Sequence, residues 1–325
     1  MAQPISGIHH VTAIASDPQR NLDFYTQVLG LRLVKRTVNF DDPGSYHFYF
    51  ADEVGSPGTI LTFFPWPGAA PGRSGVGQVS VTSFSVSEGS LKYWDERLIV
   101  AGATVEKSAK RLGEEVLTVT DSDGLKIELI ASSWGGESHT WAGSTVPVEH
   151  AVRGFHSVTL LEQGYERTAK LLETLGFHKV AEEGNRFRFE VGGGGQGARV
   201  DVLCASEAPH GRIGAGTVHH VAWRAADDDD QKSWRRRLVE HDLDVTPVMD
   251  RCYFHSIYFR EPGGVLFELA TDSPGFTIDE PTETLGESLK LPIWLERYRS
   301  DIEKALPRIE LHKSGKDYEL GKSAS

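Results

Sequence analysis

One unit recurs four times along this chain, and that recurrence limits the possible folds more than any other feature. Residues 7–14 read Gly-Ile-His-His-Val-Thr-Ala-Ile, and residues 154–161 read Gly-Phe-His-Ser-Val-Thr-Leu-Leu. Residues 216–223 read Gly-Thr-Val-His-His-Val-Ala-Trp, and residues 77–84, Gly-Gln-Val-Ser-Val-Thr-Ser-Phe, fit the same frame. Runs rich in Val, Ile and Thr at this length read as strands. A helix-compatible stretch follows each, at 21–29, 90–101, 166–175 and 231–241. Gly30, Gly102 and Gly176 stand where a helix C-cap belongs, and Asp242 takes that place in the fourth unit. Each unit then closes with strands after a glycine turn: Gly58-Thr-Ile-Leu-Thr-Phe, Gly124-Leu-Lys-Ile-Glu-Leu, Gly197-Ala-Arg-Val-Asp-Val and Gly264-Val-Leu-Phe-Glu-Leu.

The expected fold is therefore α+β, four tandem βαβββ modules. One such module has a sheet face to bury and cannot bury it alone, so modules must pair into half-open barrels. The 325 residues suit two domains, one duplicated domain being the alternative. We expect an N-terminal domain at 5–140 with modules one and two, and a C-terminal domain at 150–272 with modules three and four. The Ser-, Gly- and Trp-containing stretch 131–153 joins them. A helical extension and tail fill 273–325, with a helix expected at 291–309 and a polar tail from 314. The run of four Asp at 227–230 reads as a charge complement to a helix N-terminus.

Aligning the modules also places a metal. On the first strands, the position of His10 is filled by Ser80, Ser157 and His220; on the last strands, that of Glu268 is filled by Thr62, Glu128 and Asp201. Only modules one and four carry imidazole there. His10, His220 and Glu268 make a two-His-one-carboxylate set, which leaves coordination positions open and suits non-haem Fe(II), with Mn(II) the alternative. A Glu among Val265, Leu266, Phe267 and Leu269 would be costly to bury without a partner. His156 aligns with His9 and His219, so it is not expected to be a ligand. The cup of modules two and three should hold no metal. Phe48, Tyr49, Trp223, Tyr253 and Phe254 are candidates for an aromatic pocket wall.

The same residues carry a resemblance. Gly-Ile-His-His-Val-Thr, the segments at 24–39 and 46–52, Gly-Phe-His-Ser at 154–157, Glu-Glu-Gly-Asn-Arg at 182–186, His219-His220 and Arg-Glu-Pro-Gly-Gly-Val-Leu-Phe-Glu at 260–268 together resemble one family. It is the hydroquinone-type ring-cleaving dioxygenases of the vicinal oxygen chelate (glyoxalase/bleomycin resistance/dioxygenase) superfamily. The resemblance spans about residues 5–310. It implies an Fe(II) site from the second His of each His-His pair plus the Glu, and groups around the ring at His9, Thr12, His219, Arg251 and Tyr258. Tyr258, His219 and Arg251 would be catalytic; His9, Thr12, Arg251 and Tyr258 would bind substrate. Strand alternation puts Thr12 on the face of His10. It turns His9 and His219 away, so that only a bulge or twist brings them near the metal. His255 is unassigned.

The expected activity is insertion of both atoms of O2 into a hydroquinone or catechol, which places the chain in aromatic catabolism or quinone detoxification. A glyoxalase-like lyase or isomerase is the first alternative, but such sites usually take a fourth carboxylate where Thr62 stands. A metal-free cup that sequesters a small aromatic or quinone is the second. The formal charge, 34 − 46 = −12, disfavours nucleic acid. No apolar run approaches the roughly 18 residues of a membrane span. Residues 1–4 carry no signal-peptide features and only Cys204 and Cys252 are present, so a reducing cytoplasm is expected. Monomer and homo-oligomer both stay open.

Overall fold

The computed structural model describes residues 3–107, 110–133 and 139–312. The tail from 314 lies outside the described residues. Among the described residues, sixteen strands fall into four βαβββ modules. Module one is β1 (Ile8–Ala15), α1 (Pro18–Asp23), β2 (Arg32–Val38), β3 (Tyr46–Ala51) and β4 (Ile60–Pro65). Module two is β5 (Gln78–Ser87), α2 (Leu91–Val100), β6 (Thr104–Lys107), β7 (Val116–Thr120) and β8 (Lys126–Ser132). Module three is β9 (Phe155–Glu162), α3 (Glu166–Leu175), β10 (Phe177–Glu183), β11 (Arg186–Val191) and β12 (Arg199–Cys204). Module four is β13 (Thr217–Ala225), α4 (Asp228–Glu240), β14 (Met249–Asp250), β15 (Phe254–Arg260) and β16 (Leu266–Pro274).

The helix stops behave as the sequence implies. Gly30, Gly102 and Gly176 all have positive φ, and so does Asp242 at +62°. That conformation is open to Gly at little cost and tolerated by Asp. Helix α1 begins earlier than expected, at Pro18 behind the Asp17 cap, and ends in a π-helical turn over Phe24–Val28. In α4, the Asp227 carboxylate accepts from the backbone N–H groups of Asp229 and Asp230, and the other three Asp fill the first turn. The 227–230 run is thus a cap and a dipole complement.

Two eight-stranded sheets result, in the orders β14-β15-β16-β13-β1-β4-β3-β2 and β10-β11-β12-β9-β5-β8-β7-β6. Module one therefore shares a sheet with module four, and module two with module three. In each, the first strands of the two modules meet antiparallel at the centre, β1 on β13 and β5 on β9. The first sheet is strongly curled. Strands β3 and β15 stand five places apart, roughly 24 Å if flat, yet the Tyr49 and Phe254 rings come within 6.5 Å. The second sheet curls likewise, because Arg188 on β11 reaches Glu114, beside β7, at 2.6 Å.

Strand pairing corrects the sequence alignment by one residue in module two. Thr12 faces His220 across β1–β13, and Val81 faces Thr159 across β5–β9. In both ladders a bulge follows, which skips His219 in one and Ser80 in the other. Val81, not Ser80, is therefore the counterpart of His220. One extra residue between Gly216 and His220, matched after Gly77, causes the offset.

The C-terminal extension is less helical than expected. Its helix α5 spans only Arg299–Ala305, preceded by a short 3-10 turn at Glu296–Tyr298. The segment before it works as a strap on module one. Lys35, fully buried, holds Asp279 and Glu280 at 2.6 Å each. Leu289 bridges Arg36 on edge strand β2, which covers an edge that would otherwise be open to pairing.

Candidate metal centre and aromatic cavity

His10, His220 and Glu268 lie on β1, β13 and β16, three adjacent strands of the first sheet. All three are buried, and their ligand atoms fall within 4.8 Å of one another. Glu268 Oε2 is 3.0 Å from His220 Nε2 and 3.4 Å from His10 Nε2, and the two Nε2 atoms are 3.3 Å apart. Ser256 donates to Oε1 of Glu268, while Oε2 has no hydrogen-bond partner among the described residues. A buried carboxylate oxygen without a donor is costly, and a cation at this point would satisfy it. Burial opposes ionisation of Glu268, yet His10 and His220 hold its carboxyl well below the usual range. Burial pushes the His220 imidazole down, toward its neutral form. An anionic carboxylate beside imidazole nitrogens is a donor set that fits a divalent transition metal.

Each candidate ligand imidazole leans on the residue before it. His9 Nδ1 lies 2.9 Å from His10 Nδ1, and His219 Nδ1 lies 2.8 Å from His220 Nδ1. For Nε2 of His10 and His220 to offer a lone pair, Nδ1 must carry the proton and donate it to the neighbour. His9 and His219 then keep their own protons on Nε2. In that arrangement the preceding His would fix the tautomer and ring angle of its neighbour. The two neighbours differ in exposure to the cavity. The bulge in β13 brings His219 to the cavity wall. His9 is packed between His10 and the edge of Phe254, with a backbone hydrogen bond to Thr271, and does not line the cavity. Burial takes His219 down to about 3, with the adjacent His220 adding to the shift.

The cavity beside the three residues measures about 330 Å³. Thr12, His219, Arg251 and Tyr258 all line it, so of the five groups expected around the ring only His9 stands back. Arg251 Nε donates to Tyr258 Oη at 3.3 Å, and its guanidinium reaches Asp41 at 3.2 Å near the cavity mouth. Burial and the Glu268 charge raise Tyr258 well above the ordinary phenol range, so its hydroxyl keeps its proton at neutral pH. Of the expected aromatic wall, Tyr49 and Phe254 face the cavity. Phe48 and Trp223 point to the opposite face of the sheet, in the core with Phe50 and Phe267, and Tyr253 meets Tyr49 edge-on outside the cavity lining. Phe40, Phe64 and Trp66 complete the wall.

Like Phe40, Phe64 and Trp66, the polar groups Ser256 and His47 escaped the sequence reading. Ser256 lies two residues from Tyr258 on β15, hence on the same face. His47 and Tyr49 share a face of β3 by the same alternation. Tyr49 Oη is 3.0 Å from His47 Nδ1, His47 Nε2 is 2.9 Å from Thr62 Oγ1, and Thr62 Oγ1 donates to Thr12 Oγ1 at 2.8 Å. A His alternating with aromatics in a strand was the available signal. His255, unassigned in sequence, pairs with Asp228 at 2.6 Å, and His156 pairs with Glu114 at 2.9 Å, both away from the triad.

Residues 7–129 and 154–269 match the family described as the Glyoxalase/Bleomycin resistance protein/Dioxygenase superfamily. A Bacillus subtilis protein provisionally named as ring-cleaving dioxygenase MhqO is 48% identical over 96% of this chain and 99% of its own length. The chlorohydroquinone/hydroquinone 1,2-dioxygenase of Sphingobium indicum is 35% identical over 93% of this chain and 96% of its own. A solved Bacillus subtilis structure, provisionally described as a dioxygenase, superposes with a TM-score of 0.92 at 48% identity, covering 96% of this chain and 99% of that one. Glyoxalase I from Zea mays, at 14% identity and a TM-score of 0.60, covers 82% of this chain and 92% of its own and shares the fold.

Proposed function

Because the chain belongs to the Glyoxalase/Bleomycin resistance protein/Dioxygenase superfamily, we propose that it is an Fe(II)-dependent ring-cleaving dioxygenase acting on a hydroquinone-type aromatic diol. The observation that carries this reading is the buried His10, His220 and Glu268 set, with one carboxylate oxygen lacking a donor, at the wall of an aromatic-lined cavity. The names of the relatives at 48% and 35% identity support the reaction class, and the second supports the para-diol. A glyoxalase-type site would need a carboxylate at Thr62, and that position is instead hydrogen-bonded to Thr12 and His47.

Nε2 of His10, Nε2 of His220 and Oε2 of Glu268 would hold the metal. Iron bound there would orient the diol and O2 together and pass electron density from one to the other. The chain's own residues do the rest. Phe40, Phe64, Trp66 and Phe254 line the cavity and would pack against a bound aromatic ring. Tyr258, protonated and held by Arg251, donates a hydrogen bond to a substrate or oxygen atom as negative charge develops. His219, neutral with its proton on Nε2, can give and regain a proton at that atom. His9 holds His10 in the ligating tautomer rather than touching substrate.

Anaerobic reconstitution with Fe(II), followed by oxygen uptake against a panel of hydroquinones and catechols, tests the reading. We expect one O2 consumed per ring opened, with hydroquinones turned over fastest. Oxygen uptake with none of the diols, at full iron loading, would refute it.

A further inference from the structure

The chain Tyr49–His47–Thr62–Thr12 has no part in holding a metal, yet Thr12, His47 and Tyr49 all line the cavity and only Thr62 stands behind it. Thr62 pairs with Thr12 across β1–β4 and with Tyr49 across β3–β4, so the chain crosses three adjacent strands. Its middle link, Thr62, is fully buried. Each group in it can both donate and accept: two hydroxyls, an imidazole and a phenol. Burial keeps His47 in its neutral form and Tyr49 in its protonated form. A neutral, unbranched chain of this kind has two polarities, which interconvert when one proton enters at one end and another leaves at the opposite end.

We propose that this chain is a proton relay, which takes the proton a diol loses on binding and delivers it to the far side of the cavity. The proposal rests on the ring-cleaving reading above. Before transfer, Thr12 Oγ1 accepts from a diol hydroxyl. With the threonine hydroxyls turned from the direction in which Thr62 donates to Thr12, Thr12 donates to Thr62, Thr62 donates to His47 Nε2, and Nδ1–H donates to Tyr49 Oη. In the transfer the diol O–H bond breaks and its proton bonds to Thr12 Oγ1. The Thr12 proton moves to Thr62, the Thr62 proton to Nε2 and the Nδ1 proton to Tyr49. The former Tyr49 proton passes to water in the cavity beside Tyr49, since the ring itself is buried. Every electron pair stays on its own heteroatom, and each residue ends with as many protons as it began with. His47 alone changes state, from the Nδ1–H to the Nε2–H tautomer. In the final polarity Thr12 donates to the phenolate oxygen and stabilises it. Thr12 is thus the group that touches substrate, while His47 and Thr62 act through it.

Thr62→Val removes the middle link without altering the cavity wall, and Thr62→Ser restores the hydroxyl. Fe(II)-loaded protein would be mixed with hydroquinone without oxygen, in dilute buffer with a pH indicator, and then assayed for oxygen uptake across pH. Wild type and Thr62→Ser should release a proton promptly on binding. Thr62→Val should bind the diol with a KM within about twofold but release the proton at least about 10-fold more slowly. Its kcat should fall roughly 100-fold at neutral pH and recover as solvent base takes over at higher pH. His47→Gln, whose amide forms hydrogen bonds but cannot exchange tautomers, should behave like Thr62→Val and decides the matter if that variant does not fold. Proton release and a pH profile equal to wild type in these variants would overturn the relay and leave the dioxygenase reading intact. Wild type that releases its proton but consumes no oxygen would overturn the dioxygenase reading, and the relay with it.

Discussion

The two sheets carry the same modules in the same pairing, and they put opposite chemistry at the same point. In the first sheet the last strand of module four ends its inner row on Glu268, which faces two imidazoles and one serine hydroxyl. In the second sheet the equivalent Glu128 accepts from Ser83 at 2.8 Å and is gripped at both oxygens by Arg111, at 2.7 Å on Oε1. Asp201, the counterpart of Thr62, is held by Arg188 at 2.7 and 3.0 Å and by Arg186 at 2.9 Å. Where imidazoles would stand, the second sheet has Ser157 and Val81. His156 still hydrogen-bonds its neighbour, now Ser157 at 3.0 Å, just as His9 does with His10. A buried carboxylate needs a counter-charge. Paired with a guanidinium it is satisfied and has no charge left for a cation; beside imidazoles that can turn nitrogen lone pairs toward the same point, it completes a donor set for one.

The sharpest way to break this contrast is a matched pair of substitutions. Glu268→Gln keeps the size of the side chain and removes the one negative charge of the triad. It should reduce Fe(II) retention after dialysis, and oxygen uptake, by about 100-fold. Glu128→Gln should leave both near wild type, with one iron per chain rather than two. Metal analysis and an oxygen electrode decide it; the reverse pattern would mean that the wrong sheet had been assigned the metal.

The second effect separates function from stability. Glu128→Gln leaves Arg111, 14% exposed, without its carboxylate. Breaking such a pair should cost about 3 kcal/mol, read from the urea midpoint. A variant as stable as wild type would show that the second cup is not held by this pair.

The smallest expected effect concerns acid. Burial opposes ionisation of Glu114, but hydrogen bonding to His156 and the Arg188 guanidinium take it down to about 2, and Asp201 is lowered by its Arg partners. A carboxyl depressed in the folded state contributes stability above its unfolded value, about 4.3. That contribution is lost as pH falls from there toward 2. Glu114→Gln should therefore flatten the loss of stability between about pH 4.3 and 3 relative to wild type, followed by urea unfolding. Identical pH dependence in the two proteins would exclude this pairing as a source of acid sensitivity.

How far the sequence could be read depends on which period carries the information. The repeat, the glycine stops and the three clustered residues follow from local spacing and internal comparison. His10, His220 and Glu268 were legible because two modules differ from the other two at matching positions. The offset in module two was not, since a bulge inserts one residue without a composition signal, and only the ladder shows that Val81 and not Ser80 matches His220. His47 and Ser256 were missed for a related reason. Each sits in a strand whose inner and outer faces are both buried, so apolar neighbours hide which face is the cavity.

The amino-acid order by itself determined four βαβββ modules, the stops of their helices and a single imidazole-bearing pair, because these rest on backbone propensities and on spacing within one module. The tertiary structure alone decided that each cup is one continuous eight-stranded sheet, closed through the antiparallel first strands β1–β13 and β5–β9. It decided that a bulge swings His219 into the cavity while His9 stays behind His10. It also decided that Arg111 neutralises Glu128 while Glu268 keeps a bare oxygen. These outcomes depend on contacts between residues more than 200 positions apart in some cases, such as His10 and His220. Sheet curvature and ladder register fix such distances, and no local pattern encodes either one.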